Sequence, residues 1–375
     1  MRRRLLYVQY SNPGIYPPLQ HSAQLFAQAG WDVLVLGIQD PTTRGLQFPM
    51  HARVTVKLLP FVALGWRRIF YFLYYTIWIW WWALRWQPNV IYASDLYATP
   101  AAFGLSYLSA VRVIYHEHDT PQATRRLQQW CMKTRARVAR RAFLCIVPNE
   151  RRAERFAREL GVSRVLCVWN CPMREQVPAF HHVTHDDALW VLFFGSIVPA
   201  RKLETVLNAL ARLPACVKLR VIGYETVGHP NYMQTLREQA ARLQLNERVE
   251  FHPPLPRAAL LKWAQQSDVG LVLMPCQNNN WDEQTMSGAS NKPFDYLACG
   301  LPLLVSDLPD WHKLFVEPGF ARACNPDDVN SVTAALQWFL EHPAARRTMG
   351  DAGQRQIRQV WNYETQFAPV LERLG

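Results

Sequence analysis

Two stretches in the second half of the chain carry residues suited to holding a phosphorylated ligand. The apolar run 189–196 ends in Phe193-Phe194-Gly195-Ser196, and a helical segment begins near Leu203, with Pro199, Ala200, Arg201 and Lys202 between them. A glycine at a strand end lets a phosphate approach the backbone, a helix start offers N–H groups without intrahelical partners, and Arg201 and Lys202 are cations of the kind that grip a diphosphate. The second stretch, residues 287–311, reads SGASNKPFDYLACGLPLLVSDLPDW. Gly288, Ser290 and Asn291 stand just ahead of a short helix with Asp295 in its first turn, and Cys299-Gly300 ends that helix before a buried strand. Amides at this helix start suit a phosphate, and Asp295 suits ribose hydroxyls. The plainer reading of Asp295 is a charge that complements the helix dipole.

Such residues need a sheet to present them, and each half of the chain supplies one. Strand-like runs at 5–10, 33–38, 54–59, 89–94, 112–116, 143–148 and 164–170 alternate with helical segments. A second alternation passes through 189–196, 217–223, 248–252, 269–274 and 302–306. Strands separated by helices imply parallel sheets covered on both faces. A chain of 375 residues has room for two such domains. Its 50% hydrophobic and 19% charged residues exclude a disordered or coiled-coil protein, and no internal repeat suggests a solenoid. The expected division is a first domain over 1–172, a polar linker over 173–188, a second domain over 189–358 and a tail over 359–375 that packs back on the first domain. The eight cysteines form no CxxC pair, and MRRRLLYVQYSNPG reads as a first strand rather than a secretory leader. Reduced thiols in the cytoplasm are therefore expected. No Asp-x-Asp metal motif occurs, so neither a metal nor another cofactor is expected.

The net charge of +12 resides in the first half: residues 1–188 hold 23 basic against 11 acidic side chains, whereas residues 189–375 hold 18 of each. Within it, residues 125–164 carry twelve basic and three acidic groups. Such a surface attracts phosphate groups, an acidic membrane leaflet or a nucleic acid. No stacking platform or reader motif accompanies it, which argues against nucleic acid. Residues 66–86, WRRIFYFLYYTIWIWWWALRW, tip the choice to a membrane, because the sixteen residues from Ile69 to Leu84 carry no charge. A helix of that length extends ~24 Å, short of the ~30 Å hydrocarbon core, so the expected placement is in the interface. Trp66, Trp78, Trp81 and Trp82 suit the headgroup boundary, and Arg67, Arg68 and Arg85 suit its phosphates. The competing reading is a core helix that is apolar all round.

The string NKPFDYLACGLPLLVSDLPDW resembles the most recognisable stretch of the retaining, family-four type glycosyltransferases of the GT-B fold. The preceding DVGLVLMPCQNNN, the trailing CNPDDVNSVTAALQWFLEHPAARRTMGDAG and, in the first half, VIYASDLYATPAA, VIYHEHD and VLCVWNCP are similar to further elements of that family. The resemblance covers nearly the whole chain and is weakest over residues 40–88. It implies an α/β protein of two doubly wound Rossmann-like domains facing a central cleft, the second binding a nucleotide-diphosphate sugar and the first an acceptor. Arg201 matches the basic residue, six after Gly195, that contacts the diphosphate, and Ser196 replaces an Arg that often follows the glycine. Asp295 matches the ribose-binding second carboxylate of the family's paired-Glu motif, while Ser287 stands where the first Glu would touch the donor sugar. His118 matches a histidine at the mouth of the cleft, whose imidazole, tuned by Asp119 or Glu117, would hydrogen-bond the donor sugar or the acceptor hydroxyl. As a plainer reading, HEHD is a polar strand end. Gly14 lies in the first strand-to-helix loop, where the family meets donor phosphate and acceptor.

With the aromatic segment on the acceptor domain, the resemblance implies transfer with retention to a lipid-linked or other glycan acceptor, in cell-surface polysaccharide or glycolipid synthesis. The protein would sit peripherally on the inner face of the cell membrane, with Arg201 and Lys202 taking the role of a metal. Two other classes stay open. One is a nucleotide-sugar epimerase of the same fold, which needs no lipid surface. The other is a non-catalytic partner in a membrane glycan-assembly complex, suggested by Ser287 and Ser196.

Overall fold

A computed structural model describes the chain except residues 1–2, 40–42, 44, 63–66, 109–110, 122, 124, 180–187, 227 and 278–280, and of residues 67 and 68 it describes the backbone alone. The chain forms two units, Met1–Asn170 with Tyr363–Gly375, and Cys171–Asn362. The first contains β1 (Arg4–Gln9), α1 (Pro17–Gln28), β2 (Asp32–Gln39), β3 (Val54–Pro60), α2 (Arg67–Trp86), β4 (Val90–Ser94), α3 (Thr99–Leu105), β5 (Arg112–His116), α4 (Arg126–Arg141), β6 (Leu144–Val147), α5 (Glu150–Leu160) and β7 (Val165–Cys167). Its strands lie in the order β3-β2-β1-β4-β5-β6-β7, all neighbours parallel. Strands buried on both faces need unbroken apolar runs, and Leu5, Leu6, Tyr7 and Val8 of β1 and Val90 to Ala93 of β4 are all buried.

The second unit contains β8 (Leu189–Ile197), α6 (Leu203–Leu210), β9 (Val217–Glu225), α7 (Tyr232–Arg242), β10 (Val249–His252), α8 (Arg257–Gln265), β11 (Val269–Val272), α9 (Trp281–Gln284), α10 (Lys292–Ala298), β12 (Leu303–Ser306), α11 (Pro309–Trp311), β13 (Ala321–Cys324), α12 (Val329–Glu341) and α13 (Pro343–Gln359). Its six strands run β10-β9-β8-β11-β12-β13, again all parallel. Both sheets therefore reverse direction beside their first strand, between β1 and β4 and between β8 and β11. In open α/β sheets the crevice outside the strand ends at that point is where ligands bind. Strand β13 has no counterpart in the sequence reading, because ARAC is short and carries a charged residue at its centre.

A last helix, α14 (Tyr363–Leu374), belongs to the first unit. Phe367 meets Phe26 of α1 edge-on at 5.5 Å, and Tyr363 meets His21 at 5.2 Å. Of the expected linker, residues 180–187 lie outside the described part. The residues before them adhere to the second unit, where the Gln354 and Arg358 side chains donate to the Pro178 carbonyl at 3.2 and 2.5 Å.

Helix α10 sits unusually close to its sheet. A Cβ at Gly270 of β11 would stand 2.4 Å from the Tyr296 ring, so glycine there opens the notch that the ring fills. Tyr296 is fully buried, and its Oη accepts a hydrogen bond from the Phe194 backbone N–H at 3.0 Å. Tyr296→Phe keeps the ring but leaves that buried N–H unmatched, a loss of about 1–3 kcal/mol. A unit of this size then melts several degrees lower. Differential scanning calorimetry checks this, and an unchanged melting temperature would contradict the pinning role.

Candidate active site

The second unit brings the strand-end glycine and several basic side chains to one edge of its sheet. Gly195, at φ +117°, adopts a conformation that side-chain-bearing residues rarely reach. Its neighbour on β9 is Gly223, where a Cβ would lie 1.9 Å from the Gly195 carbonyl oxygen. Arg201 closes the short 3-10 turn 199–201, and its guanidinium reaches the Met274 sulfur just beyond β11. Ser306 fixes the backbone there, accepting from the Met274 N–H at 2.8 Å and donating to the Met274 carbonyl at 2.6 Å. Ser196 stays in the β8–β9 ladder opposite Tyr224.

The other expected residues of this edge have partners within the protein. Lys202 has a left-handed backbone, at φ +55°, and its ammonium pairs with Asp327 at 2.5 Å. The SGASN turn is bonded in part to its own neighbours. The Ser290 N–H donates to the Met286 carbonyl at 2.9 Å, and the Asn291 amide donates to Asp295 at 3.1 Å; Gly288, at φ +75°, makes the bend. Finally, Asp295 is 1% exposed, and both its oxygens are held by Arg257, at 2.6 and 2.9 Å. A carboxylate buried this deeply requires a cation in contact, and Arg257 supplies it. Ser287 lies in the same turn and is 8% exposed.

Arg257, Tyr296 and Lys292 were absent from the sequence reading. Lys292 opens α10 and lies across Gly195: a Cβ at 195 would meet its Cε at 2.6 Å and its Nζ at 3.1 Å. Arg257 opens α8 and also donates to Gln176 at 3.1 Å. Each is a cation at the first position of a helix, the end where the dipole disfavours positive charge. That anomaly was visible in the sequence.

In the first unit, the ends of β4 and β5 gather buried polar groups. His118 shares a hydrogen bond with Ser94 Oγ at 2.9 Å, and its backbone N–H donates to Asp95 Oδ1 at 3.0 Å. The His116 ring lies 3.9 Å from it, and His116 Nδ1 meets the Tyr92 hydroxyl at 2.6 Å. Burial pulls the His118 pKa down to about 4 against the opposing pull of Asp119 and Glu117. It lowers His116 as well, and pushes Asp95 up to about 6. His118 is thus a neutral imidazole near pH 7, and its buried Nδ1 has no hydrogen-bond partner among the described residues. Glu117 is bound by Arg135 at 2.5 and 2.7 Å and by the Tyr115 hydroxyl at 2.8 Å, an internal ion pair that orients the strand end. Asp119 turns outward, 84% exposed, with Arg152 at 3.8 Å, and its charge still raises the His118 pKa against the effect of burial, as does that of Glu117. At Gly14 the N–H is capped by Asn12 Oδ1 at 2.9 Å, and a Cβ would stand 2.2 Å from the Leu46 carbonyl oxygen. The close approach that this glycine permits is to the protein's own backbone.

Helix α2 is two-sided. Phe72, Tyr75, Thr76, Ile79 and Ala83 are buried, whereas Ile69, Phe70, Leu73, Tyr74, Ile77, Trp81 and Leu84 are each more than half exposed. Trp78 and Trp82 are half-buried against the core rather than outward, Trp82 lying under Lys57 at 4.9 Å. Arg85 reaches over Trp81 at 5.7 Å. Trp66 and the side chains of Arg67 and Arg68 lie outside the described part. No helix among the described residues is long and apolar enough to cross a membrane.

Paired doubly wound units of this kind have known counterparts. The structure is similar to sucrose-phosphate synthase from Thermosynechococcus elongatus, with a TM-score of 0.74 at 16% identity over 100% of this chain and 99% of that one. It is similar also to Anabaena HepE, solved in complex with UDP-glucose, with a TM-score of 0.68 at 17% identity over 100% and 99%. The architecture is that of the GT-B glycosyltransferases. Residues 19–174 match the family model described as Glycosyltransferase Family 4, and residues 201–372 match the one described as Glycosyl transferase-like. The chain is a member of the GT-B glycosyltransferases of the family-four type. A GDP-mannose-dependent alpha-(1-6)-phosphatidylinositol monomannoside mannosyltransferase of Mycolicibacterium smegmatis is 24% identical over 185 residues. That match spans 49% of this chain and 47% of the relative, about half the length of each.

The depressed His118 pKa has a direct readout. The folded state binds fewer protons there than the unfolded chain, so this group's contribution to stability is lost as pH falls from about 6.5 towards about 4. Nitrogen NMR of the imidazole should show a neutral ring from pH 8 down to about 5. A titration centred near 6.5 would contradict the buried placement.

Proposed function

We propose that the protein transfers a hexosyl group from a nucleotide-diphosphate sugar to a lipid-linked glycan acceptor, with retention at the anomeric carbon, in cell-surface polysaccharide or glycolipid synthesis. The observation that carries the donor half is the end of β8, where a backbone opened by Gly195 and Gly223 lies beside basic side chains at the switch point of the sheet. A diphosphate fits such a place because its oxygens take N–H donors and guanidinium forks together. The names of similar proteins agree with a hexose donor: HepE was solved with UDP-glucose, and the mycobacterial relative is GDP-mannose-dependent. In this reading the departing diphosphate helps deprotonate the acceptor hydroxyl, and the protein contributes positioning and charge stabilisation of the leaving group. Side-chain cations, Arg201 foremost, take the part that a metal plays elsewhere. His118 serves as a neutral hydrogen-bonding group towards the sugar or acceptor.

The acceptor half rests on α2. An exposed apolar face beside a basic α4, on the unit that would hold the acceptor in this reading, suits an anionic bilayer and supports a peripheral association with the inner face of the cell membrane. The mycobacterial relative is named for a phosphatidylinositol-linked acceptor. A second reading, a non-catalytic partner in a glycan-assembly complex, is favoured by Ser287 at the sugar-contacting position and by the closure of Asp295 on Arg257.

Two measurements decide between these readings. One of UDP, GDP, dTDP or ADP at 100 times its dissociation constant should stabilise the native protein by ~2.7 kcal/mol, and Arg201→Ala should abolish the shift. A well-folded sample indifferent to all four would favour the non-catalytic partner. Vesicles containing anionic lipid should sediment the protein at low salt, and Leu73→Glu with Ile77→Glu should reduce the bound fraction about tenfold while leaving the fold intact. Equal binding by wild type and variant would remove the membrane role of this face.

A further inference from the structure

The residue that follows β4 holds a backbone shape that its side chain disfavours. Asp95 stands at φ +64° and ψ 177°, a region left almost entirely to glycine, which other residues keep only where their surroundings over-determine it. The backbone is tied on both sides: the Asp95 N–H donates to the His116 carbonyl at 2.9 Å, and the Asp95 carbonyl accepts from the Ala98 N–H at 3.2 Å. Glycine would take this conformation freely, so an aspartate here has its reason in its side chain. That side chain accepts the His118 N–H at 3.0 Å. The β4–β5 ladder ends at the pair Ser94 and His116, so His118 lies beyond it, and Asp95 supplies a bond that the ladder no longer gives.

Ser94 holds the ring of the same residue. Its Oγ lies 2.9 Å from His118 Nε2, and among the described residues this fully buried hydroxyl has no other hydrogen-bond partner. A buried hydroxyl needs an acceptor for its one proton, and Nε2 is the acceptor within reach. Burial keeps the imidazole neutral near pH 7. A neutral ring that accepts at Nε2 carries its own proton on Nδ1. Nδ1 is enclosed and has no partner among the described residues, and the His116 and Tyr16 rings lie 3.9 and 5.7 Å from the imidazole. A buried N–H without an acceptor calls for one that arrives with a ligand.

We propose that Ser94 and Asp95 are positioning residues for His118, Ser94 fixing the imidazole proton on Nδ1 and Asp95 fixing the main chain that carries the ring, so that His118 meets a sugar or acceptor oxygen as an Nδ1–H donor. This rests on the part given to His118 above. Both residues act through His118, and neither touches the substrate.

Two measurements on the full-length protein test it. In nitrogen NMR of histidine-labelled protein at pH 7, assigned with His118→Gln, the His118 proton should sit on Nδ1, and Ser94→Ala should shift it towards Nε2. Turnover is followed as release of the nucleoside diphosphate from UDP-glucose, GDP-mannose, dTDP-glucose and ADP-glucose, with water as acceptor, in samples shown to be folded. On a donor that wild type cleaves, Ser94→Ala and Asp95→Gly should each lower kcat/KM about tenfold, the scale of one lost hydrogen bond, with affinity for the free diphosphate unchanged. Asp95→Asn keeps an acceptor for the His118 N–H and should recover most of the loss, and adding Ser94→Ala to His118→Gln should cause no further loss. A wild-type proton on Nε2, full activity in Asp95→Gly, or additive losses in the double variant overturns the proposal and leaves the reading of His118 standing. A His118→Gln variant as active as wild type, or a wild type that cleaves none of the four donors, removes the part given to His118 and this proposal with it.

Discussion

The seating of Tyr296 in the notch at Gly270 is the contact on which the second unit's edge depends. A tyrosine ring close to a bare Cα, with its hydroxyl held by the Phe194 N–H, brings α10 closer to the sheet than a side chain on β11 would allow. Further glycines behind it do the same work: Gly350 lies under the Gly300 carbonyl and Gly353 under Leu297. With the helix set at that depth, its first turn lies over the end of β8. Asp295 then reaches inward to Arg257, and Lys292 reaches across to Gly195. Neither placement would survive a shift of an ångström or two, because a buried ion pair tolerates little loss of geometry.

The first unit uses the same edge differently. There, ionisable groups are buried rather than displayed: His116 and His118 with ring centroids 3.9 Å apart, Asp95 at φ +64°, and Glu117 clamped by Arg135. Folding gains little from such a cluster, since desolvation pushes each histidine towards its neutral form and Asp95 towards protonation. The surrounding strands, buried on both faces, stabilise it. Groups held against their ordinary preference at a sheet's switch point are where function is expected. The Glu117–Arg135 pair fixes the direction of β5 beyond its last ladder bond, and His118 inherits its position from that.

Much of this organisation was legible in the sequence, and the reason lies in periodicity. Buried parallel strands cannot hide their apolar runs, so the alternation marked all but one of the strands. ARAC of β13 was lost because four residues with a central arginine carry no such signal. The site was legible only as far as local conformation decides it. Gly195 was recognisable because a strand-end glycine is a local fact. The partner of Lys202 was not, because Asp327 is 125 positions away in the chain, and no spacing rule connects them. The contact of Gly14 with Leu46 was hidden for the same reason, the two lying 32 positions apart. For α2, the buried and exposed faces could not be told apart, since 3.6-residue periodicity is invisible when nearly every residue is aromatic or aliphatic.

The distribution of charge at the second unit's edge follows from which cations have carboxylates in contact. Arg257 and Lys202 do, through Asp295 and Asp327, and so act as internal braces: one ties α8 to α10, the other ties the start of α6 to the loop after β13. Arg201 reaches the Met274 sulfur and Lys292 runs across Gly195, at the two strands that flank the switch point. The braces hold the framework at a fixed distance, and the other two cations are carried on it. Cations carried on helices packed tightly to a sheet keep their positions, which is what electrostatic preorganisation requires of a framework.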